Sequence, residues 1–445
     1  MSVIQSLKNR LTSFQIIILG FVSVILMGTI MLMLPVSARE GVVTPFGDAL
    51  FTAVSAVCVT GLVVVDTASY WSVFGQAVIL VLIQIGGLGV ITVASLMTML
   101  VGRKIGLMQR QTMQNAISAP QVGGIVKLTR FIIKISFLVE AAGAVLLMPV
   151  FVPEYGIKGV WMSVFHSVSA FCNAGFDLMG DKTGKFSSLT SFSANGYLSF
   201  VIAMLIIIGG IGFVTWQDIG TKKTAFKEYK MQTKVILVTT AILIAVPTVI
   251  FYFTEFSGLP IGQRIYASFF QAVTPRTAGF NTADLTKMTD VGQGIIMVLM
   301  LIGGSPGSTA GGMKTTTVAI LYANAIAIFG NKTSANIFGR RIEDDAVKSA
   351  STILFMYVTL AMTAATAISL IERLPMETCL FETFSAIATV GLTLGVTPSL
   401  SIFSHIILIV LMFFGRVGGL TIIFAAFSNK DKSILKYPTE SIIAG

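Results

Sequence analysis

The sequence has 445 residues, of which 54% are hydrophobic and 11% are charged, with a formal net charge of +10. Soluble domains carry about 25% charged residues, so the composition excludes an ordinary soluble protein and indicates a chain that lies in a lipid bilayer. The positive charge alone could indicate nucleic acid as a partner. Most of the cationic residues lie between the apolar runs, which explains the positive charge without nucleic acid, and we expect no nucleic-acid partner.

Eight apolar runs predict eight membrane crossings, because about 20 apolar residues span a hydrocarbon core of ~30 Å. Five runs are uncharged, and three weaker runs are interrupted by Glu140, by glycines with Lys314, and by Arg416. The first run resembles a secretory signal, but it is longer than a signal core of about 7 to 15 residues, so we predict an uncleaved crossing. The runs are 14–34, 74–101, 135–152, 197–216, 235–253, 295–329, 349–371 and 400–427.

Cationic residues lie on alternate loops between these runs. The positive-inside rule places such loops in the cytoplasm. We therefore predict a multi-pass protein of the cell membrane with both termini cytoplasmic and a comparatively acidic outer face. The cationic residues are Lys8, Arg10, Arg103, Lys104, Arg110, Lys222, Lys223, Lys227, Lys230, Lys332, Arg340, Arg341, Lys430, Lys432 and Lys436.

Four short apolar segments share one pattern, in which a phenylalanine comes ten residues before a glycine. Such segments are too short to cross a membrane and suit re-entrant structure. The glycines recur about every 110 residues, which indicates a fourfold internal repeat. We place the repeats at 1–120, 121–228, 229–340 and 341–445. The segments are FTAVSAVCVTGL at 51–62, FHSVSAFCNAGF at 165–176, FFQAVTPRTAGF at 269–280 and FETFSAIATVGL at 381–392.

A second glycine series follows these segments, at 86–89, 209–212, 303–307 and 415–419. Small residues let membrane helices approach closely, so helix packing is an alternative role for this second series. Packing does not explain the first series, because non-helical backbone at membrane depth occurs only where protein buries it or where it lines a water-filled cavity. Each repeat has two crossings and one re-entrant segment. The sequence therefore predicts an all-α integral membrane protein whose four helix–pore-helix–helix repeats close around a pseudo-fourfold pore.

The residues at the four repeated glycines suit a potassium filter. Potassium filters replace the hydration shell of the ion with rings of backbone carbonyl groups, and glycine adopts positive φ angles readily. Thr389-Val390-Gly391 matches the start of the potassium-channel filter sequence. A pore helix before each glycine would direct the negative end of its dipole toward the cation. The predicted filter residues are Val59, Thr60, Gly61, Asn173, Ala174, Gly175, Thr277, Ala278, Gly279, Thr389, Val390 and Gly391.

A predicted gate interrupts the third repeat below its filter. Glycine costs ~1 kcal/mol and proline ~3 kcal/mol relative to alanine in a helix interior, so this stretch should form an intramembrane loop, at 303–314, across the ion path. Arg416 lies at the matching depth of the fourth repeat. It should donate to loop or filter carbonyl groups, or else only hold helices together. The predicted gate residues are Gly303, Gly304, Ser305, Pro306, Gly307, Ser308, Thr309, Ala310, Gly311, Gly312, Lys314 and Arg416.

These motifs resemble those of the Trk/Ktr/HKT superfamily of potassium and sodium transporters, most closely the membrane subunits of Ktr systems. The resemblance covers nearly the whole chain and includes the filter glycines, the segment 277–281, the stretch 303–312 and Arg416. It implies a homodimer with one pore in each subunit. It also implies a separate cytosolic regulatory ring, KtrA-like and nucleotide-binding, that docks on the basic loops and on the tail from Lys430. Plant relatives that conduct sodium often carry serine at the first filter glycine, so Gly61 favours potassium.

A phosphate-binding site and a secondary transporter are the two alternatives to a potassium pore. The stretch 307–315 nearly matches a phosphate-binding loop, but a methionine separates its glycine from Lys314, and the true motif lies between a strand and a helix. His166 and His405 lack metal-ligand spacing, so we predict no enzyme activity and no cofactor in this chain. A sodium-coupled or less selective secondary transporter with broken helices is the second alternative, which the shared orientation of the repeats disfavours. The residues leave open whether sodium activates transport.

Overall fold

The computed structural model describes residues 12–100, 105–117, 123–223, 225–419 and 421–422. Several residues used for the charge pattern lie outside these ranges, namely Lys8, Arg10, Arg103, Lys104 and the tail from Lys430. The described part of the chain consists almost entirely of helices, with one small antiparallel pair of strands, Asn336–Ile337 and Arg340–Arg341.

Each repeat consists of an outer helix, a short pore helix and an inner helix. Outer helices 1 to 4 are Ser13–Met33, Ile125–Tyr155, Met231–Phe253 and Asp344–Glu372. Pore helices 1 to 4 are Phe46–Val57, Ile157–Phe171, Ile261–Val273 and Met376–Ile387. Inner helices 1 to 4 begin at Val73, Gly196, Asp290 and Ile402. Short helices, Thr67–Tyr70, Leu107–Ile117 and Gly180–Thr183, lie between the main elements.

Local sequence explains where the helices of each repeat begin. Proline directly precedes three of the pore helices, at Pro45, Pro260 and Pro375. A polar side chain caps each inner helix by accepting a hydrogen bond from the backbone of its first turn, as such residues commonly do. The four caps are Ser72, Asn195, Thr289 and Ser401.

The first two inner helices are each bent at a glycine. Inner helix 1 divides into Val73–Leu88 and Val90–Leu100, and the two parts meet at 95°. Inner helix 2 divides into Gly196–Ile211 and Phe213–Lys222, which meet at 93°. The breaks occur at Gly89 and Gly212, whose φ angles are +86° and +97°. The apolar runs did not indicate these bends, because a glycine with a positive φ can end a helix without any charge or proline nearby.

Inner helices 3 and 4 are interrupted or end at the second glycine series. Inner helix 3 consists of Asp290–Leu301 and Thr315–Phe329, separated by the intramembrane loop 303–314. Inner helix 4, Ile402–Val417, ends at Gly418, which has a φ angle of +89°. By length and composition, four described helices are long and apolar enough to cross a membrane, and the bent pairs raise that number to six. The shorter apolar helices Asp290–Leu301, Thr315–Phe329 and Ile402–Val417 complete the third and fourth repeats.

The four repeats form a closed ring. Inner helix 1 packs against pore helix 2, inner helix 2 against pore helix 3, and inner helix 3 against pore helix 4. Inner helix 4 packs against pore helix 1 and closes the ring. The predicted fold class, four helix–pore-helix–helix repeats around a pseudo-fourfold axis, is confirmed.

Candidate functional site

The filter segment of each repeat has the same backbone conformation. Its first residue has a positive φ, between +53° and +65°, at Val59, Asn173, Thr277 and Thr389. The glycine two residues later also has a positive φ, between +70° and +91°. Residues other than glycine rarely adopt this conformation. Four non-glycine residues in this conformation, each followed two residues later by a glycine with a positive φ, show that all four segments share one specific backbone conformation.

The four filter glycines surround one axis and leave no room for side chains. A Cβ atom added to Gly175 would lie 2.8 Å from the carbonyl oxygen of Ala278, in the next repeat. Added to Gly61, it would lie 2.5 Å from the carbonyl oxygen of Ala174. In the same way, a Cβ atom added to Gly279 would overlap the carbonyl oxygen of Val390, and one added to Gly391 would overlap that of Thr60. Each glycine therefore faces the middle carbonyl of the following segment, in the ring order of the repeats.

Pore-helix hydroxyl groups hold these segments from behind. Gly61 N–H donates to Ser55 Oγ and Gly391 N–H donates to Ser385 Oγ, both at 3.1 Å. In the second repeat, Ser169 Oγ donates to the carbonyl oxygen of Phe176 at 2.7 Å. These serines were not predicted, although each lies six residues before its filter glycine and could have been found from that spacing.

Buried polar groups brace the fourth segment on its outer side. Glu382 accepts hydrogen bonds from Thr393 Oγ1 at 2.5 Å, from Leu394 N–H at 3.1 Å and from Thr397 Oγ1 at 2.7 Å. A carboxylate with several such donors holds its loop firmly. Glu382 is the only charged residue in the segment 381–392, and its role could have been predicted from that isolated charge.

One outer vestibule contains all four filter glycines in its wall. Gly61, Gly175, Gly279 and Gly391 line it together with Asp177 and other residues of the post-filter segments. Asp177 follows the second filter segment and lies outside the membrane-spanning helices. Burial raises the pKa of its carboxyl group to about 7, and the charge of Asp66 acts in the same direction. A hydrogen bond from the N–H of Met179 partly opposes this shift.

We expect the predicted potassium transport to depend on pH through Asp177. Because its pKa is raised, the carboxyl group is neutral below about pH 7 and negative above it, and only the charged form attracts cations to the vestibule. A unit charge about 4 Å away in water contributes ~1 kcal/mol, so uptake at subsaturating potassium should fall a few-fold between pH 8 and pH 6. Initial uptake rates over that range measure this. Asp177→Asn should remove the dependence, and an unchanged profile in this variant would exclude Asp177 as its source.

The intramembrane loop lies directly beneath the filter. A Cβ atom on Gly303 would lie 3.2 Å from Thr277 Cγ2 of the third segment, and one on Gly312 would lie 2.9 Å from the carbonyl oxygen of Ala388, next to the fourth segment. The loop is anchored to inner helix 2, because Ser305 N–H donates to the carbonyl oxygen of Gly210 at 2.9 Å. It is not helical, as its composition predicts.

A second cavity lies on the opposite side of the loop from the filter, toward the end predicted to be cytoplasmic. Arg416 and five residues of the loop line this cavity. The loop residues are Gly307, Ser308, Ala310, Gly312 and Lys314. None of the four filter glycines lines this cavity. Lys314 Nζ donates to two carbonyl groups of its own loop, those of Ala310 at 2.9 Å and Gly311 at 3.2 Å. The loop therefore lies against the filter segments and also forms part of the wall of the inner cavity.

Arg416 joins three repeats at the level of this loop. Its Nη1 donates to the loop carbonyl of Thr309 at 2.5 Å, and its Nη2 donates to the carbonyl groups of Gly86 and Gly87 in inner helix 1. The structure thus places Arg416 against a loop carbonyl, as one interpretation predicts, and also between helices, as the alternative predicts. It contacts no filter carbonyl among the described hydrogen bonds. No carboxylate forms an ion pair with Arg416 in the described part of the chain.

The second glycine series has two structural roles. Gly86, Gly209 and Gly415 lie against the carbonyl groups at the ends of pore helices 1, 2 and 4, where an added Cβ would overlap them. Gly89, Gly212 and Gly418 provide the left-handed conformations at which the inner helices bend or end. Close packing therefore accounts for Gly86, Gly209 and Gly415, and backbone conformation accounts for Gly89, Gly212 and Gly418.

Comparisons with known proteins agree with this architecture. Residues 6–436 match the family described as TrkH, cation transport protein. The chain is 42% identical to the potassium/sodium uptake protein NtpJ of Enterococcus hirae, over 98% of both chains. It is 39% identical to the Ktr system potassium uptake protein B of Bacillus subtilis, over 98% of this chain and 97% of that protein.

A solved structure has the same fold. The crystal structure of the potassium transporter TrkH from Vibrio parahaemolyticus aligns with a TM-score of 0.69 at 17% identity, over 91% of this chain and 84% of that one. The family match and the two relatives each cover nearly the whole sequence. The chain therefore belongs to the TrkH family of membrane-embedded cation transport proteins.

Proposed function

We propose that this protein takes up potassium across the cell membrane through a selective pore formed by its four filter segments. The observation that carries the proposal is that Gly61, Gly175, Gly279 and Gly391, each with a positive φ, line one vestibule. Rings of backbone carbonyl groups are what a partly dehydrated potassium ion requires. The names of the relatives, which include potassium uptake proteins, support the same ion.

The intramembrane loop is proposed to gate this pore. It lies between the filter and the inner cavity and contacts the second, third and fourth filter segments or their flanks. Hydrogen bonds from Arg416 and from inner helix 2 support its position. Ions cannot pass from the filter to the inner cavity unless the loop moves aside, so its displacement would open the pathway.

A cytosolic partner is proposed to control the loop. The Bacillus subtilis relative is named as part of a Ktr system, which supports a multi-component assembly. We propose a nucleotide-binding ring on the basic loops, where Lys222, Lys227, Lys234 and Arg340 surround one surface pocket. The predicted contribution of the tail from Lys430 lies outside the described residues. The homodimer, with both termini cytoplasmic and a complete pore in each subunit, is part of the same proposal.

Potassium uptake by cells that lack their own uptake systems tests the function. Expression of this chain should restore growth at low potassium, and co-expression of a candidate cytosolic ring protein should increase the rate. A lack of potassium uptake by the membrane-inserted chain, with and without the ring, would contradict the proposal. Crosslinking in membranes tests the homodimer separately.

The second candidate is coupled or less selective transport of sodium with potassium. The observation that favours it is the name of the Enterococcus hirae relative, a potassium/sodium uptake protein. Purified protein in liposomes separates the two candidates. A reversal potential that follows the potassium gradient alone indicates a selective passive pore, whereas dependence on the sodium gradient indicates coupling, activation or weak selection.

A further inference from the structure

Thr309 fastens the intramembrane loop to its surroundings with every polar group it has. Its N–H donates to the carbonyl oxygen of Gly209 at 3.3 Å, and its carbonyl oxygen accepts from Arg416. Its hydroxyl group lies near two acceptors, the carbonyl oxygen of Phe171 at 2.9 Å and Asn173 Oδ1 at 3.3 Å. The residue is fully buried. Because buried polar groups are costly to leave unpaired, the loop cannot move without exchanging these bonds.

Asn173 is the filter residue that receives this contact. It occupies the first filter position of the second repeat, where the other repeats have valine or threonine. Its side-chain Nδ2 lies 3.4 Å from Thr277 Oγ1 of the third filter segment and 3.5 Å from the carbonyl oxygen of Arg276. One carboxamide therefore contacts the loop through its oxygen and the neighbouring filter segment through its nitrogen.

We propose that Thr309 and Asn173 form a latch through which the position of the intramembrane loop determines the ion preference of the filter. With the loop in place, the hydroxyl group of Thr309 fixes the carboxamide plane of Asn173, and Asn173 in turn fixes the spacing between the second and third filter segments. When the loop leaves, Asn173 loses one of its supports and this spacing relaxes. The inference rests on the proposed gate, and it adds a pair of residues that determine specificity.

The latch has a reciprocal consequence. If the loop position changes the relative affinity of the filter for two ions, those ions must change the loop equilibrium by the same factor. Potassium in the filter would therefore favour one loop position relative to sodium. The two sites communicate through a single carboxamide and require no movement of the pore helices.

The test compares Thr309→Val with Thr309→Ser in protein reconstituted into liposomes. Thr309→Val keeps both backbone bonds of the loop and removes only the hydroxyl group. We expect it to raise potassium flux and to lower the preference for potassium over sodium about tenfold, which corresponds to ~1.4 kcal/mol. Thr309→Ser retains the hydroxyl group and should restore the ion ratio. Thr129→Val is a matched control in outer helix 2, where the buried Thr129 hydroxyl group donates to the carbonyl oxygen of Ile125 at 3.0 Å.

Arg416→Ala provides an independent arm, because Arg416 holds the same loop and contacts no described filter residue. It should lower the ion preference in the same direction, and Thr309→Val should not change the ion ratio of Asn173→Ala any further if the two act through one bond. Higher flux with an unchanged ion ratio in both Thr309→Val and Arg416→Ala would overturn the latch and leave the gate standing. Unchanged flux in these variants and in a shortened loop would overturn the gate itself. Monodisperse elution from size-exclusion chromatography confirms that each variant is folded.

Discussion

Replacement of Arg416 by alanine should raise potassium uptake about tenfold and make it less dependent on the proposed cytosolic partner. A hydrogen bond from a charged donor contributes ~1.5 to 3 kcal/mol, and ~1.4 kcal/mol corresponds to a factor of ten in an equilibrium. Loss of the bond from Arg416 to the carbonyl oxygen of Thr309 therefore favours the displaced loop by at least that factor. Uptake by cells without their own potassium systems, with and without the ring protein, measures both effects.

Deletion of residues 307–310 should act in the same direction, because it removes Thr309 together with the part of the loop that lines the inner cavity. Arg264→Ala is the matched control for the loss of an arginine. Arg264 stacks on the ring of Tyr252 at 3.9 Å and lies in pore helix 3, away from the loop. Flux that falls, or that stays fully partner-dependent, in folded Arg416→Ala and loop-deleted protein would contradict the gate and assign the loop to packing alone.

The repeats could be predicted from the sequence because their signals are local. A glycine at a fixed distance from a phenylalanine marks each filter segment, and the glycines and Pro306 within 303–312 are incompatible with a helix. Both features depend on backbone conformation, which neighbouring residues largely determine. The closed ring order also follows from four equal units in one orientation.

Other features depend on residues far apart in the chain and could not be predicted. Asn173 appears in the sequence as a weak version of the filter pattern, and its contact with Thr277 joins residues separated by 104 positions. The contacts of Arg416 with Gly86 and Gly87 span about three repeats. The bends at Gly89 and Gly212 were missed because a glycine within an apolar run is equally compatible with a packed straight helix.

Replacement of Gly61 by serine should lower the preference for potassium over sodium about tenfold. Gly61 has a φ of +90°, and an added Cβ would lie 2.5 Å from the carbonyl oxygen of Ala174 and 3.1 Å from Gly175 Cα. The serine is therefore strained in its own backbone and displaces a carbonyl group of the second filter segment. A difference of ~1.4 kcal/mol between the two ions is sufficient for the tenfold change. Competitive uptake of potassium and sodium by the reconstituted protein measures the ratio.

Gly47→Ser is the matched control within the same repeat. Gly47 lies in the first turn of pore helix 1, and a Cβ added there would have no neighbour within 4 Å. It should leave the ion ratio unchanged. Because the ring relates the four glycines, Gly175→Ser should lower the ratio as Gly61→Ser does, since its added Cβ would lie 2.8 Å from the carbonyl oxygen of Ala278. A folded Gly61→Ser protein that keeps the wild-type ratio would place ion selection elsewhere than in this ring of carbonyl groups.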